Sequence, residues 1–139
     1  MSESVYTKVR KGDLPGYVLY QDEICFVILS IEPNNPGHAL VIPIEEVTQW
    51  ILLDKTTLKH CVAVAQEIGK IHMEIYNPKR IELAIVGLDV EHTHLHVFPV
   101  YKIEDVDHSA AKKANLDDLG LEAEKISKVI ESQGGIKLS

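Results

Sequence analysis

The most informative stretch of this sequence is Glu91-His92-Thr93-His94-Leu95-His96-Val97-Phe98-Pro99. Three histidines alternate there with one threonine and two apolar residues. Neighbouring side chains of a β-strand point to opposite faces, so the alternation predicts a strand over His92 to Tyr101 with the three histidines on one face. Alternate residues lie about 6.5–7 Å apart along a strand. Three imidazoles in such a row can therefore line a groove about as long as a phosphate chain.

Imidazole chemistry suits a phosphate ligand. With an ordinary pKa of about 6.5, a histidine can act as nucleophile, acid or hydrogen-bond donor near neutral pH. A neutral nitrogen can attack phosphorus, while a protonated neighbour can stabilise the charged oxygens and protonate the leaving group. Metal binding is the rival interpretation, because His-x-His on a strand can place two nitrogens on one ion. Further ligands would then have to come from Asp89, Glu91 or His38.

Outside the histidine run, the pattern of the chain predicts an α+β protein. Asn35-Pro36-Gly37-His38 is a turn signal that leads into a strand. Residues 45–76 are predicted to be helical, with a short turn around Val47 and Trp50 first. A longer amphipathic helix follows, which Asp54 or Thr56 could cap and Asn77-Pro78 ends. Asn115 can cap a last helix over about 115–132. Residues 1–15 predict either a short strand or a short helix. The predicted strands are Tyr17 to Tyr20, Ile24 to Ile31, Ala39 to Ile42, Ile81 to Val86 and His92 to Tyr101. The order of strands, helix, strands and helix favours a mostly antiparallel sheet.

Composition limits the classes of function. The 139 residues predict one domain over 1–139, with its core at about 5–101. A formal net charge of −7 argues against a nucleic-acid partner. Apolar runs are too short for a membrane span, and the first residues lack the character of a signal peptide, so we expect a cytoplasmic protein. Cys25 and Cys61 are predicted to be two buried thiols, with no cysteine zinc site.

These segments together resemble the histidine-triad (HIT) family. The family's motif is His-φ-His-φ-His-φ-φ, where φ is apolar, and His92 to Phe98 matches it with Thr93 as the one soft position. Pro33 to Pro43 is similar to the family's Pro-x-x-Pro-Gly-His segment and the strand after it. The preceding acidic turn and apolar strand also match, and Lys8 to Pro15 is similar to the family's N-terminal segment. The resemblance covers about residues 5–101.

The resemblance implies a HIT-like fold of five strands, one long helix and a C-terminal helix, commonly paired as a homodimer. It implies hydrolysis or transfer at the α-phosphate of a nucleoside phosphoramidate or dinucleoside polyphosphate, without a metal or other cofactor. His94 would be the nucleophile and form a nucleotidyl-histidine, and His96 would contact the phosphate oxygens. His92 and His38 would support the ring of His94 and pass protons. The implied purine pocket is lined by Tyr6, Val9, Leu14, Ile28 and Ile31.

Two positions depart from the family pattern and concern the nucleotide directly. Ser30 stands where the family usually has an acidic residue that holds the ribose hydroxyls. Loss of that charged hydrogen bond predicts a ribonucleotide affinity weaker by ~1–3 kcal/mol. Asp89 stands where many members have a serine that contacts phosphate, and an ionised carboxylate there would repel the ligand. A non-catalytic nucleotide-binding module is therefore the alternative to the enzyme.

Overall fold

Five antiparallel strands form one sheet in the order β1-β2-β3-β5-β4. The computed structural model describes residues 3–138. The strands are β1 (Val18–Gln21), β2 (Cys25–Leu29), β3 (Ala39–Pro43), β4 (Arg80–Ala84) and β5 (Leu95–Val100). The helices are α1 (Val5–Lys11), α2 (Lys55–Tyr76) and α3 (Leu116–Ser132), with short 3₁₀ turns at Trp50–Leu52, Ile103–Val106 and His108–Ala110. The predicted α+β class and antiparallel sheet are confirmed.

Polar caps explain where the helices begin and end. Ser4 caps α1 by accepting from the Thr7 N–H, and Asn115 caps α3 in the same way. The N-terminal segment, for which the sequence left strand or helix open, is therefore helical. Asp54 caps α2. The predicted order, a short turn and then a longer helix capped at Asp54, is confirmed, with the turn at Trp50–Leu52.

The two faces of the sheet bury different sets of residues. The face covered by α2 and α3 holds the larger core, which includes Val27, Val41 and Val97. The opposite face holds a smaller apolar cluster, packed against Tyr6 and Val9 of α1. The buried members of this smaller cluster are Phe26, Ile28, Leu40 and Ile42. Alternation along β2 and β3 produces this division, since each strand is buried on both faces.

The fifth strand begins later than predicted. It starts at Leu95, which pairs with Val41, and the sequence had placed its start at His92. Ahead of that pairing, the Thr93 N–H donates to the Val47 carbonyl at 2.8 Å, outside the sheet. The segment over 92–94 is thus tied to the loop after β3. None of the helices in the described part of the chain has the length and apolar character that a bilayer crossing needs.

Candidate active site

The hydrogen bonds of His94 define which of its ring nitrogens is free. His94 Nδ1 lies 2.7 Å from the carbonyl oxygen of His92, which can only accept, so Nδ1 carries the proton. In the neutral ring the lone pair is then on Nε2. Burial lowers the pKa of His94, which favours this neutral form. His94 therefore offers an unprotonated nitrogen, directed toward the hydroxyl of Tyr6 at 3.3 Å.

His96 and His38 form a second hydrogen-bonded pair with the opposite polarity. The backbone N–H of Asn34 donates to His38 Nδ1 at 2.9 Å. His38 Nε2 therefore carries the proton and donates to His96 Nδ1 at 2.9 Å. The remaining nitrogen of a neutral His96, Nε2, must then be an N–H donor. The turn that sequence analysis singled out thus determines the protonation of His96.

Both members of this pair are neutral at pH 7. Burial, with the neighbouring His96 second, lowers the pKa of His38 to about 3. Burial and the neighbouring His94 lower the pKa of His96 to about 4. The rings of His94 and His96 lie 4.9 Å apart between centroids. The site consequently presents one lone pair and one N–H donor side by side, both uncharged.

The ring of His92 contacts groups other than the His94 ring that it was predicted to support. Its Nε2 donates to the Pro43 carbonyl at 2.8 Å, and its Nδ1 lies 2.6 Å from the Ser4 hydroxyl. Both ring nitrogens are thus used within the protein, which does not fit a metal ion shared by His92 and His94. It is the backbone carbonyl of His92, and not its ring, that holds His94. The ring connects the segment over 92–94 to α1 through Ser4.

A polar network around His92 was missed by sequence analysis. Glu46 accepts from the Ser4 N–H and from the Thr7 hydroxyl, each at 2.9 Å. Ser4 and Thr7 belong to the first turn of α1, and Glu46 follows β3. The N-cap pattern of Ser4 could have predicted the helix, but no local signal pairs it with a glutamate 42 residues away. This network fixes α1, and hence Tyr6, against the histidines.

A fifth histidine at the site was also missed. The ring of His108 lies edge-on to that of His96, with centroids 5.1 Å apart, and 5.9 Å from Phe98. It comes from the 3₁₀ turn after β5 and is exposed. Its sequence neighbourhood has no periodic pattern, so only the path of the chain after β5 brings it here.

The predicted base-pocket residues divide into two groups. Tyr6, Val9 and Ile28 pack in the small apolar cluster beneath α1. Leu14 and Ile31 are 39% and 46% exposed, which leaves both available to a ligand. Two grooves of about 600 and 540 Å³ lie elsewhere, one between the 33–36 turn and α3 and the other beside α2 and β4. At the histidines, the Tyr6 ring covers His94, with ring centroids 4.8 Å apart.

The two departures from the family pattern have different local surroundings. Ser30 is buried, and its hydroxyl accepts from the Glu32 N–H at 3.2 Å, so it serves the local turn. Asp89 is exposed, and its charge reaches both His94 and Tyr6. Burial, supplemented by the charges of Asp89 and Glu32, raises the pKa of Tyr6 to about 12. The charges of two carboxylates, Asp89 and Glu32, therefore act on the site, and the sequence did not predict that of Glu32.

A different group of residues could hold a metal. Asp22, Cys25 and His60 bring three possible ligand atoms within 4.8 Å of one another. Both cysteines are buried free thiols, as predicted. The sequence did not predict that Cys25 would lie beside an aspartate and a histidine.

Comparison with known proteins agrees with this fold. The family model described as HIT domain matches residues 11–103, and the chain belongs to the HIT family. The resemblance found in the sequence is thereby confirmed. An uncharacterized HIT-like protein of Borreliella burgdorferi is 31% identical, over 84% of this chain and 89% of its own length. An adenosine 5'-monophosphoramidase of Schizosaccharomyces pombe is 30% identical, over 68% of this chain and 72% of its own.

A solved structure shares the fold. The crystal structure of a HIT-like protein from Bartonella henselae superposes with a TM-score of 0.77, covering 91% of this chain and 95% of that one. The sequence identity of this pair is 20%, so the likeness concerns the fold alone.

Proposed function

We propose that this protein is a nucleotide hydrolase or nucleotidyl transferase that attacks the α-phosphate of a nucleoside phosphoramidate or dinucleoside polyphosphate. The observation that carries the proposal is the lone pair on His94 Nε2 beside the N–H donor on His96 Nε2. Attack at phosphorus needs a nucleophile and a nearby donor for the oxygens that gain charge. Membership of the HIT family and the activity named for the S. pombe relative support this class of reaction.

The reaction would take two steps. In the first, His94 Nε2 forms a bond to the α-phosphorus as the bond to the leaving group breaks, and the departing nitrogen or oxygen takes up a proton from water. The ring then carries a positive charge, which the Nδ1–H bond to the His92 carbonyl stabilises. In the second, water attacks phosphorus, the P–N bond to His94 breaks, and a nucleoside monophosphate leaves. The His96 N–H binds a phosphate oxygen in both steps.

Tyr6 must move for this attack. Its hydroxyl, which stays protonated at neutral pH, lies 3.3 Å from the nucleophilic nitrogen and its ring centroid 4.8 Å from that of His94. A phosphorus atom approaching Nε2 has to displace this contact. Ligand entry therefore requires a shift of the Tyr6 side chain or of α1.

Turnover of adenosine 5'-phosphoramidate and of a diadenosine polyphosphate tests the proposal. Wild-type protein is expected to release AMP and to accumulate a histidine-linked adenylate, detectable by mass spectrometry after an acid-free quench. His94→Gly is expected to abolish release and to regain part of it with added imidazole, which can occupy the vacated space. Circular dichroism checks that the variant is folded. Equal rates in wild type and His94→Gly would refute the assignment of the nucleophile.

A purine base is proposed as the preferred ligand. The exposed side chains of Leu14 and Ile31 offer apolar contact area, from which the larger purine ring gains more. Binding of AMP, GMP, CMP and UMP can be compared by calorimetry. Equal affinity for all four would contradict the preference.

A non-catalytic nucleotide-binding module is the second candidate. It is favoured by the carboxylates of Asp89 and Glu32, whose charges act on the site and oppose a phosphate. Micromolar nucleotide binding without product would support it. Asp89→Ser is expected to tighten nucleotide binding under either candidate, and an unchanged affinity would show that this carboxylate does not face the ligand.

We also propose that the protein pairs with a second copy of itself through α2 and β4. Strand β4 is an edge of the sheet, and Val62, Met73 and Leu83 are exposed beside it along the 540 Å³ groove. Unpaired edges and apolar patches favour association. Light scattering is expected to give twice the chain mass, and Leu83→Lys to reduce it to one chain. Leu121→Lys, at an exposed leucine of α3, should leave the mass unchanged.

We also propose that the protein is located in the cytoplasm. Two buried, unpaired thiols are compatible with a reducing compartment. Fractionation of the native source with antibody detection would test it, and recovery in a membrane or secreted fraction would contradict it.

A further inference from the structure

Side chains with metal-binding atoms meet where the β1–β2 turn packs against α2. Asp22, Cys25 and His60 contribute three such atoms, all within 4.8 Å of one another. Cys61 follows His60 on α2, and its thiol neighbours that of Cys25 but lies outside this three-residue group. Cys25 and Cys61 belong to the core on the α2 side of the sheet, whereas His96 and Phe98 occupy the other side. This group is therefore separate from the candidate active site.

The carboxylate of this group is already held in place. Asp22 Oδ1 accepts from the backbone N–H groups of Ile24 and Cys25 at 2.8 and 2.9 Å. Its Oδ2 lies 2.7 Å from both the Tyr20 hydroxyl and His60 Nε2. Burial alone would raise the pKa of Asp22, but these hydrogen bonds lower it to about 2, so the carboxylate is ionised. A fixed anionic oxygen next to an imidazole is a preorganised half of a cation site.

The cysteines supply the other half. Both thiols are fully buried, while the side chains of Asp22 and His60 are 22% and 21% exposed. An ion can therefore enter from the surface and reach sulfur in the interior. The adjoining Cys61 thiol, burial and the Asp22 carboxylate raise the pKa of Cys25 in the metal-free protein. A divalent cation reverses this effect, because it binds the thiolate and neutralises the neighbouring charge.

We propose that Asp22, Cys25 and His60 bind one zinc ion, with the adjoining Cys61 thiol moving in as the fourth ligand, and that the ion ties the β1–β2 turn to α2. Two thiolates, an imidazole and a carboxylate make a four-ligand set of the kind that tetrahedral zinc takes, at about 2.0–2.3 Å from the metal. Softer sulfur ligands disfavour magnesium and calcium. On binding, the two thiols release their protons to solvent, and the His60 proton moves from Nε2 to Nδ1 so that Nε2 can coordinate. The site stabilises the fold and has no part in attack at phosphorus.

Cobalt substitution tests this directly, since thiolate ligation of Co²⁺ gives charge-transfer absorption that imidazole alone does not. Untagged, reduced full-length protein titrated with Co²⁺ is expected to develop this absorption to an end point of one equivalent, and Zn²⁺ to abolish it. Cys25→Ser and Cys61→Ser should remove or strongly reduce it. His96→Gln should retain it, because His96 lies on the other face of the sheet. Zinc should also raise the Tm of wild type.

Two milder variants keep the test decisive if a cysteine variant does not fold. Asp22→Asn keeps both thiols and should lose zinc affinity, as measured by competition with a chromophoric chelator. Tyr20→Phe removes only a hydrogen bond to the ligand and should weaken zinc binding roughly tenfold. Absence of thiolate–cobalt absorption in wild type would overturn the proposal. So would absorption that persists in Cys25→Ser, zinc affinity unchanged in Asp22→Asn, or a signal lost in His96→Gln.

Discussion

Lowering the pH from 7 to 5 is expected to destabilise this protein through histidines that are buried without charge. His72 is the clearest case: it lies fully buried in α2 and its Nε2 donates to the Gly37 carbonyl at 2.6 Å. Burial lowers its pKa from 6.5 to about 4. The unfolded chain takes up a proton below about pH 6.5, while the folded chain does so only near pH 4. The stabilising contribution is thus complete above pH 6.5 and is lost as the pH falls toward 4.

The magnitude follows from the two pKa values. At pH 5, His72 is almost fully protonated in the unfolded chain and mostly neutral in the folded one. This difference lowers the free energy of unfolding by about 2 kcal/mol for His72 alone. His38 and His96, with pKa values of about 3 and 4, act in the same direction. Their combined effect is large against the total of about 5–15 kcal/mol that is usual for a domain. Asp22, with a pKa of about 2, loses its contribution only below about pH 4, outside this window.

Urea unfolding at pH 7 and pH 5 measures this difference. His72→Gln keeps an amide donor for the Gly37 carbonyl but cannot titrate, so it should reduce the difference between the two pH values by about 2 kcal/mol. Gln66→Ala, at an exposed residue of α2 that does not titrate, is the control and should leave the difference as in wild type. The reasoning is refuted if wild type and His72→Gln lose the same free energy of unfolding between pH 7 and pH 5.

Three further predictions concern the residues around the site. Tyr6→Phe removes the hydroxyl donor that favours the neutral form of His94. The acid limb of the pH profile of kcat/KM should therefore move to higher pH by as much as about one unit. An unmoved acid limb would contradict the contact between Tyr6 and His94. Glu46→Ala should lower the free energy of unfolding by about 1–2 kcal/mol because it frees the start of α1, whereas Glu45→Ala should change it little. Gly37→Ala should be strongly destabilising, since the φ of Gly37 is +87° and an added Cβ would lie 2.5 Å from the Tyr76 ring. Gly87→Ala has the strain of a positive φ but no such clash, so it should destabilise less. Equal effects of the two substitutions in thermal unfolding would count against this packing.

Much of the fold could be predicted because its signals are local. Alternating apolar residues, the Pro33 to Gly37 turn and the capping residues Asp54 and Asn115 each act over a few positions, and the strands and long helix lie close to where these signals put them. The errors were at boundaries. The fifth strand begins at Leu95 because backbone groups of the preceding residues bond to the loop after β3, a choice that depends on where that loop runs.

The sequence alone determined that His92, His94 and His96 share a face, because alternation is a property of neighbouring residues. That His38 lies beside them, 58 positions from His96, was implied only by the family resemblance. Only the tertiary structure decided the protonation of each ring. Asn34 orients His38, which orients His96, while a backbone carbonyl orients His94. Partners such as Ser4 with Glu46, or Asp22 with His60, lie 42 and 38 positions apart. Contacts at such separations depend on how the sheet and helices pack, and no local pattern of residues encodes them.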